Sequence, residues 1–230
     1  MSKSSRRSNP PTKPRATSAA QSPLARYRSL IIFGTLGLGA LVIAFVLLQS
    51  NSGEAWACDS QLTPPPQAST DPTALGFETA YLGNSHVFPG TKIVYPFCAP
   101  TSGSHYSSPG RGPVRNDVYG PEAEQAPGGW VHNLEHGAIV VLYRCPSGIL
   151  GSGDCATQQD MALMRQWWDG APVVNNCPKQ AIVARFDEMS TPFAVLAWNR
   201  ALLLDEFDLD LASEFASQWT DVTAPEPNNC

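Results

Sequence analysis

From Leu30 to Leu48 the chain reads LIIFGTLGLGALVIAFVLL, 19 residues without a charge or a side-chain amide. At roughly 1.5 Å per residue such a helix is about 28 Å long, close to the hydrocarbon thickness of a bilayer. The residues before it carry Lys3, Arg6, Arg7, Lys13, Arg15, Arg26 and Arg28 and no acid. The basic flank of a spanning helix stays in the cytoplasm. The expected organisation is therefore a disordered basic cytoplasmic tail over 1–29 and a single transmembrane helix over 30–48. A Pro/Ser-rich linker over 49–75 and an extracytoplasmic domain over 76–230 follow. The lipid bilayer is the expected partner of residues 30–48, the cell membrane the expected location, and a protein partner stays unassigned.

Three processing routes compete with a plain anchor. Ala55-Trp56-Ala57 has the form of a signal-peptidase site, although the apolar run is longer than a usual signal core. Cys58 fits a lipoprotein reading poorly, because the polar stretch Gln49–Glu54 separates it from the apolar run. Arg6-Arg7 lies too far upstream to act simply as a twin-arginine signal.

Charge sorts along the chain in the same way. The net charge is −5, yet all twenty acidic residues lie beyond residue 50. An acidic outer domain lacks the clustered positive charge that nucleic acid requires, so that class of partner is excluded. With 21 Pro and 18 Gly in 230 residues, the domain should be loop-rich around a modest core.

All six cysteines (Cys58, Cys98, Cys145, Cys155, Cys177, Cys230) follow the apolar run. An even count in an oxidising compartment points to disulfides. Six cysteines allow about 15 pairings, which sequence alone does not separate. Cys145 with Cys155, closing a Gly-rich loop, and Cys58 with Cys98 are the preferred pairs, and Cys230 could tie down the tail. No C-x-x-C occurs, so the usual redox and zinc-ribbon signatures are missing.

Phe97 to Gly129 reads as loop, broken by five prolines. Ala138–Tyr143 is an apolar, β-branched run and a buried strand. Thr157–Asp169 is a helix, opened by Thr157 and Asp160 and stopped by Gly170 and Pro172. Ala181–Phe186 and Phe193–Trp198 read as strands, and Asn199-Arg200 turns into another at Ala201–Leu204. Asp208 caps a last helix with Leu211, Phe215 and Trp219 on one face. This order predicts an α+β fold, a small, largely antiparallel sheet with two packed helices, preceded by the single transmembrane helix.

The chain has four histidines, all between His86 and His136. His132 and His136 frame the pentad His132-Asn133-Leu134-Glu135-His136, whose spacing matches an inverted zinc-protease motif. That chemistry needs a long helix, whereas this motif sits between Pro127-Gly128-Gly129 and Gly137 and should fill at most one helical turn. A broader reading gathers His105, His132 and His136 around a divalent metal, zinc or copper, with Glu135 and His86 as further ligand or supporting candidates. The alternative is that these histidines hydrogen-bond Gly-rich loops and hold an irregular backbone in place. Ser102 and Ser104 lack a nucleophile-elbow context and fit turn hydroxyls better, and Trp167, Trp168 and Trp198 fit core aromatics.

His86-Val87, Ser102-Gly103-Ser104-His105-Tyr106 and the run Val131 to Gly137 ahead of an apolar strand resemble the bacterial domain-of-unknown-function family 3105. The resemblance covers about residues 75–225 and extends to Ala197-Trp198 and to Pro225-Glu226. The chain departs from the family pattern at Cys98-Ala99 and at Ser104, and the first departure implies a lineage-specific disulfide. The resemblance implies a membrane-anchored extracytoplasmic protein and supplies no activity. The metal expectation thus rests on the histidines themselves. Three classes stay open: metal binding, a metal-dependent hydrolase with Glu135 as base, and a non-catalytic envelope scaffold. No methionine lies near a histidine in sequence, which argues against soft-ligand copper handling.

Overall fold

The computed structural model describes residues 56–65, 73–173 and 179–227, together with Tyr27, Phe33 and Gly39. The chain divides into two units, Met1–Asn51 and Ser52–Cys230. In the first, Tyr27, Phe33 and Gly39 are helical. The expected tail and transmembrane segment otherwise lie outside the described residues, as do most of the linker, Cys177 and Cys230. Among the described residues no helix is long and apolar enough to cross a membrane.

The second unit runs β1 (Trp56–Cys58), β2 (Phe77–Glu78), β3 (His86–Val87), β4 (Ile93–Tyr95), β5 (His105–Tyr106), α1 (Pro127–Glu135), β6 (Ile139–Tyr143), α2 (Gln158–Gly170), β7 (Ala181–Arg185), β8 (Phe193–Ala197), β9 (Arg200–Leu204) and α3 (Leu209–Trp219). Its main sheet has the order β2-β9-β8-β6-β7, and two-stranded sheets pair β1 with β4 and β3 with β5. β6 pairs in parallel with β7, α2 forming the crossover, and antiparallel with β8. A parallel neighbour requires such a crossover, and the α2 sequence supplies one.

β6 is apolar at every position because both sheet faces are covered. Ile139, Val141 and Tyr143 point with Val183 and Val195 into a core shared with Met164 and Trp167 of α2 and Phe215 of α3. Val140 and Leu142 face the other way, with Ile182, Leu196 and Phe186, against Trp130, Val131 and Leu134 of α1. A small third core of Ile93, Tyr95 and Tyr106 ties β4 to β5.

The helix ends follow the sequence. Thr157 and Asp160 form a reciprocal capping box on α2, and the Asp208 carboxylate accepts from the backbone N–H groups of Asp210 and Leu211 at the start of α3. Cys58–Cys98 and Cys145–Cys155 are disulfides, with Cα separations of 5.6 and 3.8 Å, as preferred from the sequence.

Four expectations need correction. The main sheet is mixed, three of its pairings antiparallel as expected but β6–β7 parallel, and both small pairs are parallel. The described residues contain three packed helices of the domain, not two. The β8–β9 turn is Trp198-Asn199, with Arg200 already paired to Ala197, because Asn199 takes the left-handed conformation at φ 55° that Asn tolerates. The additional helix is α1, which begins inside the stretch read as loop; it is nine residues long, and the histidine motif fills its last turn, with His136 at the C-cap. Pro127 stands in its first turn, where the missing N–H costs nothing.

Candidate metal centre

Two elements meet at the histidines, and the sequence of each explains how. In the β3–β5 ladder His86 and His105 are direct partners. Gly103, at φ +121°, makes the turn into β5; its N–H donates to the Gly83 carbonyl at 2.7 Å. Ser102 Oγ accepts from the Leu82 N–H at 3.0 Å, and the Ser104 carbonyl accepts from the Tyr95 hydroxyl at 2.7 Å. The Ser-Gly-Ser run is therefore a turn that places His105.

Helix α1 packs directly on β5. A Cβ at Gly128 would stand 2.6 Å from Tyr106 Cε2, and one at Gly129 would stand 2.8 Å from the Arg111 carbonyl oxygen. The glycine pair weakens helix propensity but permits this close approach, which brings His132 Nδ1 within 2.7 Å of the Tyr106 carbonyl. The rest of the motif divides the work. Asn133 accepts from the Val114 N–H and donates to the Val114 carbonyl, each at 2.9 Å. Leu134 is fully buried in the core. His136 caps the helix, and Gly137 turns the chain at φ +88° into β6 against Asp221.

All five residues singled out by sequence come together. His86 Nε2 and His105 Nε2 lie 3.2 and 2.9 Å from the same Glu135 oxygen, and His132 Nε2 lies 2.9 Å from His136 Nε2. Ring centroids of His86, His105 and His132 are 4.7–5.2 Å apart. Donor atoms of His86, His105 and His132, and of His132, Glu135 and His136, form two groups whose members all lie within 4.8 Å of one another. His105 and Glu135 are 0% and 1% exposed, while the His86 and His136 side chains are 47% and 18% exposed and open the cluster to solvent.

The protonation pattern follows from the carbonyls. His105 Nδ1 donates to the Gly103 carbonyl at 2.8 Å and His132 Nδ1 to that of Tyr106. Burial pushes the pKa of both rings below the usual value, with neighbouring histidine charge working in the same direction. Each is therefore a neutral imidazole with its proton on Nδ1 and a bare Nε2 lone pair. The His105 lone pair faces a carboxylate oxygen, and that of His132 faces another imidazole nitrogen. A cation can satisfy the His105 lone pair and the carboxylate together and take the His132 lone pair as well, and two Nδ1–H···O=C bonds that fix the tautomer are the supporting shell of histidine metal ligation. Nitrogen and oxygen donors of this kind suit zinc or copper(II).

Among the described residues the cluster contains no sulfur ligand. Met164 and Met189 are buried in the two main cores, and the described cysteines are paired. The sequence reading overlooked Glu226, whose Oε2 is 3.6 Å from His136 Nδ1 and whose N–H donates to the Glu135 carbonyl at 3.2 Å. Its only signal was the Pro225-Glu226 pair near the end of the resemblance.

A model of the family described as "Protein of unknown function (DUF3105)" matches residues 86–230, a span that begins at the first histidine of the cluster. No curated protein and no solved structure matches the chain.

Proposed function

The chain belongs to the DUF3105 family of proteins of unknown function, and since membership supplies no activity, we propose that it is a divalent-metal-binding protein. The ion, zinc or copper(II), is held by His86, His105 and His132 together with Glu135 and His136. The observation that carries this reading is the paired tautomer lock: Gly103 and Tyr106 take the Nδ1 protons, leaving both Nε2 lone pairs free for an ion, that of His105 against the Glu135 carboxylate. The centre would sit on a single-pass protein of the cell envelope, N-terminus in the cytoplasm and the domain outside, as the apolar run and its basic flank support.

The hydrolase alternative assigns Glu135 as the base. Its carboxylate is buried and already engages two imidazoles, which supports a ligand or ligand-partner role better than a base reaching for water. Structural histidines alone would leave the His105–Glu135 contact short of a proton, which disfavours the scaffold reading.

Elemental analysis of the purified, oxidised full-length chain, beside a His132→Ala/His136→Ala variant, tests the proposal. Near-stoichiometric metal in the parent, lost in a variant that still folds, supports the site and identifies the ion. No metal after reconstitution with zinc and with copper(II) overturns it.

A further inference from the structure

Resting on that reading, we propose that Glu226 is the positioning residue of the centre, holding the His136 proton on Nδ1 so that Nε2 is free to bind the ion. His136 Nδ1 is buried and makes no hydrogen bond among the described residues, and the nearest carboxylate is that of Glu226. Left to itself, His136 has a better option. With its proton on Nε2 it donates to the bare His132 Nε2 at 2.9 Å, and the two rings close on each other as a neutral pair. That pair consumes both lone pairs the ion needs.

A carboxylate beside Nδ1 reverses the preference, because an N–H pointing at an anion is favoured over a lone pair pointing at one. The backbone places it there. After α3 the chain doubles back along the end of the motif, with Asp221 N–H on the Gly137 carbonyl, Thr223 Oγ1 on the Trp198 carbonyl and Glu226 N–H on the Glu135 carbonyl. The segment is thus pinned to both sides of His136 through main-chain atoms, and a side-chain change at Glu226 leaves those bonds intact. His105 and His132 obtain their locks from carbonyls inside the β5 region. His136 obtains its own from a residue ninety positions later in the chain.

The test uses full-length protein with 15N-labelled histidine, as parent, Glu226→Ala and Glu226→Gln. Zinc affinity is measured by competition with a chelator, and the His136 tautomer by ring nitrogen shifts with and without zinc. Glu226→Ala should weaken zinc binding about 10–100-fold and move metal-free His136 toward the Nε2–H form. Glu226→Gln, which keeps an acceptor oxygen, should recover part of both. Unchanged affinity and unchanged tautomer in Glu226→Ala overturn the assignment while the metal reading stands. Zinc binding absent from the parent overturns the metal reading, and the ligand-positioning role falls with it.

Discussion

His86 and His105 face each other across the β3–β5 ladder and share one Glu135 oxygen, yet the first side chain is 47% exposed and the second is fully buried. Two candidate ligands of one centre should therefore differ in what their loss does to the fold. His105→Ala strands the Gly103 carbonyl and removes a fully buried ring, leaving a void beside the buried Glu135 carboxylate. It should destabilise the metal-free protein by about 2–4 kcal/mol. His86→Ala gives water access to the same carboxylate and should cost under about 1 kcal/mol. Both should lose metal affinity. Urea denaturation of the metal-free proteins beside chelator competition separates the two effects. Equal stability losses would contradict the burial difference.

The Gly128-Gly129 pair gives a second expectation. Gly128→Ala places a methyl 2.6 Å from the Tyr106 ring in a fully packed region. Overpacking of this kind costs about 1–3 kcal/mol. The strain should also reach the metal, because Tyr106 supplies the carbonyl that locks His132. Reduced zinc affinity in a folded Gly128→Ala protein, with all five candidate ligands intact, is the expected result. Unchanged affinity would show that the Tyr106 carbonyl follows His132 when the ring is pushed.

The same glycines explain where the sequence stopped being legible. β6, β7, β8, β9, α2 and α3 carry strong local signals: apolar runs covered on both faces, a capping box, an Asp cap. α1 opens Pro-Gly-Gly, which by propensity is a loop, and becomes a helix because tertiary packing on Tyr106 and Val114 requires small residues there. β1 to β5 are two or three residues each, too short for any periodicity to show. The candidate ligand set was readable because histidine is rare in this chain and confined to three short segments. The carbonyl locks were not, since backbone acceptors leave no mark in sequence. Glu226 was hidden for a further reason: one acid among twenty, brought to His136 only by the path of the chain after α3.

Burial lowers the pKa of His105 and His132, and the sign of the pH dependence follows. Both start from an ordinary value of 6.5 in the unfolded chain. Below that pH the unfolded chain takes up protons that the fold resists, so the unfolded state binds more protons and stability rises with pH. The contribution is complete above the unfolded value and is lost as pH falls from about 6.5 toward the lowered folded values. Metal-free protein should therefore lose about 1–3 kcal/mol per pH unit in that window, one proton per unit being worth about 1.4 kcal/mol. Denaturant midpoints from pH 7.5 to 5.0 check this, with His105→Ala reducing the slope. A flat profile would mean that the two rings are charged in the fold. Metal-loaded protein should fall more steeply, because the same protons compete with the ion.

Asn133 separates holding the loop from holding the metal. It stands between His132 and Leu134, yet its amide turns away from the centre and mimics a paired strand against both backbone groups of Val114. Replacing it with Leu keeps the number and branching of side-chain heavy atoms and strands a part-buried N–H and a part-buried C=O. At about 1–3 kcal/mol for each unsatisfied group, the loss should be about 2–4 kcal/mol once partial rescue by water is allowed for. Zinc affinity of the folded fraction should stay within about threefold, under 1 kcal/mol, because no candidate ligand or tautomer lock is touched. Thermal denaturation with and without zinc, together with chelator competition, reads both quantities from one protein. A collapse in affinity equal to that of His132→Ala would instead make the Val114 loop part of what aims His132 at the ion. The division of labour within the pentad would then have to be redrawn around that loop.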